Sequence, residues 1–131
     1  MTLSEHKEQV TFIHKAKKYL REQDEEYLIP LLFAIPNGGK RDARTASTMK
    51  MEGVRKGVPD LLFAYQVNDY AGLFIEMKVC KGGRVSPEQK QMMKLLEEEG
   101  GYKCVVARGW EEAINFFKYI ICIKTRRSPK V

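Results

Sequence analysis

Long apolar runs are missing from this sequence. Residues 1–10, MTLSEHKEQV, are polar and charged, with no stretch suited to a secretory signal, and the later apolar runs are too short to span a bilayer. A soluble protein is expected. Cysteine is scarce: Cys80, Cys104 and Cys122 are odd in number and widely spaced, unlike a zinc site or a disulfide framework. That pattern suits a reduced, cytoplasmic setting, of a bacterium or of the host cell of a virus. The histidines, His6 and His14, have no partner at a spacing that suggests a metal site or a nucleophilic triad. Internal repeats, linkers and low-complexity stretches are absent as well.

What is present is an ordinary globular composition, 44% hydrophobic and 31% charged, over 131 residues. A chain of this size forms one domain and buries roughly two thirds of its unfolded surface. The net charge of +6 points to an anionic partner, nucleic acid or an acidic membrane surface. Lys124, Arg126, Arg127 and Lys130 crowd the end of the chain, as a solvated tail or as an arm for phosphates. The expected division is a domain over residues 1–123 and a basic tail over 124–131.

Val10, Ile13, Ala16 and Leu20 recur at helical spacing and predict a first helix over residues 5–21 with that stripe buried. Residues 28–35 read as a strand that stops at the turn-forming residues 36–39, and Asp42 is placed to cap a short helix through Met51. Strands follow at 60–67 and 73–79, joined by the turn residues 68–72 into an antiparallel hairpin. Ser86, Pro87 and Gln89 open the next helix as a capping box, and Gly100 and Gly101 close it. A strand at 102–107 and a helix from Trp110 to about Ile123 complete the chain. The order α-β-α-β-β-α-β-α describes an α/β domain, a mixed sheet flanked by helices. Met49, Met51, Met92 and Met93 are read as core filler, and Trp110, Phe116 and Phe117 as helix packing.

The chemistry concentrates in the 73–79 strand. Its alternation puts Leu73, Ile75, Met77 and Val79 on one face and Phe74, Glu76 and Lys78 on the other. An acid and a base side by side also suit the exposed face of an edge strand. The added feature is Asp60, which follows Gly57-Val58-Pro59 and begins the preceding strand, so that the hairpin brings its carboxylate towards Glu76; a turn-forming Asp is the alternative. Two converging carboxylates repel unless a cation lies between them, and oxygen ligands suit Mg²⁺ or Mn²⁺. Asn37, Lys40, Arg41 and Arg44 form a glycine-flexible basic loop suited to phosphate contact, or simply solvated.

Taken together, IPNGGKR at 35–41, EGVRKGVPD at 52–60, GLFIEMK at 72–78, GGRVSPEQ at 82–89 and GGY at 100–102 resemble the virus-type replication-repair nuclease (VRR-NUC) family, a branch of the PD-(D/E)xK superfamily. The resemblance runs from about Glu5 to Ile120. It implies a metal-dependent DNA endonuclease, with no membrane partner, in which Asp60, Glu76 and the main-chain carbonyl of Met77 are metal ligands. Lys78 would orient or deprotonate the attacking water, and Gln89 would hold the lysine or the scissile phosphate. The family also uses a glutamate of the first helix. At 100° per residue Glu5 falls about 60° from the centre of the apolar stripe and Glu8 about 120° from it, which favours Glu5.

Standalone members resemble Holliday junction resolvases, so branched DNA is the expected substrate. Nicked, flapped or linear DNA is the alternative, as is a silent DNA-binding scaffold of the same fold. Resolving a junction needs two symmetric incisions, which a homodimer supplies. Trp110, Ile114, Phe117 and Ile121 could form its self-complementary surface, although the core also claims them.

Overall fold

The computed structural model describes residues 3–36 and 43–124. Its first element, helix α1 (Glu5–Glu22), starts where Ser4 accepts a hydrogen bond from Lys7 N at 3.2 Å, and its acidic first turn and Arg21 in its last complement the helix dipole. The buried line is Glu8, Phe12, Ala16 and Leu20: Ala16 and Leu20 of the expected stripe are in it, while Val10 is 54% exposed and Ile13 only partly buried. Phe12 sets this rotation, inserting edge-on against Phe117 with ring centroids 5.9 Å apart.

The first half of the strand expected at 28–35 is instead part of a 3-10 helix, Glu26–Leu31, leaving only β1 (Leu32–Ala34) in the sheet. Pro30 has no N–H to give a ladder. Helix α2 (Ala43–Met51) follows; Met51, expected in the core, is 86% exposed. Strand β2 (Leu61–Phe63) is also shorter than expected, because the chain leaves the ladder before Val67 and Tyr70 exchange two hydrogen bonds around the turn. Strand β3 (Leu73–Lys78) pairs antiparallel with β2 and parallel with β4 (Lys103–Arg108), and helix α3 (Pro87–Glu98) makes the crossover that a parallel pair requires. The sheet order is β1-β2-β3-β4.

Strand β3 is therefore central, and all six of its residues are buried, so Glu76 and Lys78 do not lie on the exposed face of an edge strand. Beneath its apolar face, α1 and helix α4 (Trp110–Lys124) enclose the core, where Phe63 and Phe117 meet with centroids 4.8 Å apart. Ile114, Phe117 and Ile121 are buried there, while Trp110 packs against its margin with Lys15 over the ring. Ile114, Phe117 and Ile121 are thus internal packing and not a surface open to a second copy. No helix among the described residues is long and apolar enough to cross a membrane.

Candidate active site

Asp60 owes its place to the segment before it. Gly57 has φ +93°, and a Cβ there would lie 2.7 Å from the carbonyl oxygen of Glu88, so only glycine lets this loop rest on the first turn of α3. Buried Pro59 then delivers Asp60 to the point where the β2–β3 ladder stops, one residue beyond the Leu61–Ile75 pair. In place of a further rung, Met77 N donates to Asp60 Oδ2 at 2.8 Å. A residue's N–H and C=O leave a strand on the same side. The Met77 carbonyl therefore points towards Asp60, whereas the Lys78 carbonyl faces β4 and accepts from Gly109 N.

Glu76 lies opposite Asp60 and is 2% exposed. Its Oε2 accepts from Gln89 Nε2 at 2.9 Å and sits 3.4 Å from Lys78 Nζ. Gln89 does two things with one amide. Its Oε1 accepts from Ser86 N at 2.9 Å while Ser86 Oγ accepts from Gln89 N, which completes the capping box, and its Nε2 remains for Glu76. Lys78 is held along its stem: a Cβ on Gly83 would come within 3.2 Å of Lys78 Cβ, and Arg108 Nη1 donates to the Gly83 carbonyl at 2.6 Å. Sequence reasoning passed over Arg108, which carries no motif and acts through a main-chain carbonyl 25 residues away.

The third carboxylate comes from α1. Oxygens of Glu5, Asp60 and Glu76 all lie within 4.8 Å of one another. Burial, then the charge of Asp60, pushes the Glu76 carboxyl up to about 7, against the opposing pull of Lys78. Burial also raises Asp60, opposed by the Met77 N–H. Glu5 rises for the same first reason and then because Asp60 is near, with Lys78 acting the other way. Three acids held in this state gain from a cation between them, and an all-oxygen donor set fits a hard divalent ion rather than zinc or copper. The residues present fit Mg²⁺ or Mn²⁺.

Glu8, the alternative helix glutamate, is not solvent-facing as the helical wheel implied. It is 3% exposed and turned to α4, where its Oε2 accepts from Trp110 N at 3.1 Å. Asn37, Lys40 and Arg41 of the expected DNA-binding loop lie outside the described residues, as do the side chain of Arg44 and the tail from residue 125.

A central strand bearing E-x-K, an aspartate from the neighbouring antiparallel strand and a flanking helix that brings a third acid together define a nuclease of the PD-(D/E)xK type. The VRR-NUC domain model matches residues 8–111, and the chain belongs to that family. A solved structure described as a "VRR_NUC domain protein" is similar over 94% of this chain and 92% of its own, with 27% identity and a TM-score of 0.79. No curated protein matches the sequence. Membership in this nuclease family makes DNA the substrate class.

Proposed function

We propose that this protein is a Mg²⁺- or Mn²⁺-dependent endodeoxyribonuclease that cuts branched DNA, four-way junctions in particular, as a homodimer. The observation that carries the metal dependence is the convergence of Glu5, Asp60 and Glu76 from three separate elements, with Lys78 beside them. These three carboxylates and the Met77 carbonyl would hold the cation. When bound, it supplies Lewis-acid polarisation of the scissile phosphate and eases ionisation of the attacking water.

The chain's own groups do the remaining work. Lys78, fixed by Glu76 and by the Gly83 segment over its stem, orients that water and offsets the negative charge that grows on the phosphate. Gln89 holds the Glu76 carboxylate through Oε2, so its other oxygen keeps one orientation. Asn37, Lys40, Arg41 and Arg44 contact DNA phosphates, which predicts affinity that falls steeply with salt.

The described residues hold one such acidic group, and two symmetric cuts call for two copies. Ile114, Phe117 and Ile121 of the final helix are not available to that interface, because they lie in the core. The test combines light scattering with cleavage of labelled four-way junction, flap and linear DNA, with Mg²⁺ and with EDTA. A dimer that cuts the junction on both strands only with metal is expected. A monomer that cuts junction and linear duplex equally would remove the resolvase reading and leave the nuclease. Binding without cleavage at any metal concentration would show a silent scaffold.

A further inference from the structure

Glu8 is a buried acid outside the acidic group. Before Phe12 it is the one buried residue of α1, so the turn that carries Glu5 has no apolar anchor. What secures that turn is polar. Glu8 Oε2 accepts from Trp110 N, in the first turn of α4, and lies 3.6 Å from the Cys80 thiol, two residues beyond Lys78. Gly109, at φ +94°, makes the room: a Cβ there would stand 2.6 Å from Glu8 Oε2. A helix N-terminus presents unpaired N–H groups and partial positive charge, so a carboxylate is well placed there. At one oxygen Glu8 thus joins α1, the segment after β3 and the start of α4.

We propose that Glu8 is a positioning residue for the cation site: by docking the first turn of α1 on the N-terminus of α4, it sets the Glu5 carboxylate against Asp60 and Glu76. The inference rests on the reading of those three acids as metal ligands. Helix ends fray, and a ligand on a first turn binds well only if that turn is held. Glu5 and Glu8 are three residues apart, so docking one restricts the other.

The test is Mn²⁺ binding by titration calorimetry, with thermal melts in EDTA as a check on folding. Glu8→Ala is expected to weaken Mn²⁺ binding about tenfold, the order seen when a group supporting a ligand is lost. Glu8→Gln keeps an oxygen for Trp110 N and should retain most of the affinity. Because the effect passes through Glu5, Glu5→Gln combined with Glu8→Ala should bind no more weakly than Glu5→Gln alone. Wild-type affinity in Glu8→Ala, or a loss that adds in full to that of Glu5→Gln, would overturn the proposal. Should Glu8→Ala not fold, Glu8→Asp, which draws the carboxylate back from Trp110, carries the same test, and unchanged affinity there overturns it. A wild type that binds no Mn²⁺ would overturn both this inference and the metal reading. Wild-type binding that Glu5→Gln weakens leaves the metal reading standing whatever Glu8 does.

Discussion

On one face of β3, Leu73, Ile75 and Met77 are sealed in the core with Phe12 of α1 and Phe117 of α4. On the other face, Phe74, Glu76 and Lys78 lie beside α3, a helix with no buried residue of its own. The strand is buried on both sides, yet only one side is packed with apolar side chains throughout. The other keeps two ionisable groups out of water by means of a short polar loop, a helix cap and Phe74 against Tyr102. Burial alone therefore does not distinguish core from site; what differs is whether the neighbours are apolar side chains or hydrogen-bonding groups.

Truncations on the two sides should fail in different ways. Phe117→Ala, in the apolar layer, should cost about 3–5 kcal/mol of unfolding free energy by denaturant titration. Asp60→Ala, Glu76→Ala and Lys78→Ala should each lower the cleavage rate by on the order of 10²-fold or more while leaving DNA binding and the cooperative melt largely intact. Full cleavage in any two of these, or in EDTA, would sink the site assignment.

Acidity provides a smaller contrast. Glu76 titrates at about 7 in the folded chain against an ordinary 4.5, so between those values the folded state holds the extra proton. The stabilisation is fully present below pH 4.5 and lost as the pH rises through about 7. Without metal, the melting temperature should fall across that window, and Glu76→Gln should flatten the slope. Added Mn²⁺ should raise the melting temperature most at the alkaline end, where it no longer competes with the proton. A metal-free protein whose stability rises from pH 5 to 7.5 would contradict this account.

The least of these effects separates the two duties of Gln89. Gln89→Glu keeps an oxygen for Ser86 N, and so the cap, but replaces the donor to Glu76 with a second negative charge. Its melt should stay near wild type while the single-turnover rate drops. Gln89→Ala should lose both, with about 1 kcal/mol of stability from the cap. Equal rates in wild type and Gln89→Glu would reduce Gln89 to a capping residue.

Sequence pattern reached the site more readily than the α1 face. Period-two alternation in residues 73–79 separates Glu76 and Lys78 from the core side, and Gly57-Val58-Pro59-Asp60 marks the start of the preceding strand, so these groups are readable from local order. Of the buried line of α1 only Ala16 and Leu20 were, because it opens with Glu8, whose partner is a backbone N–H 102 residues away. A hydropathy stripe has no means of scoring a carboxylate that is satisfied by the end of another helix. Pro30 and the exit of the chain before Val67 shortened two strands for equally local reasons, though their consequence depends on which neighbour needed the missing rung.

Where the hairpin ladder ends, the Met77 amide hydrogen bonds to a side chain instead of a strand. That gives the molecule a built-in observer. The amide's magnetic environment depends on the charge and position of Asp60, so its resonance would register proton loss and cation uptake without any label at the site. The same contact makes closing the hairpin and aligning the aspartate a single event, and chains that have zipped β2 to β3 have already oriented one of their acids.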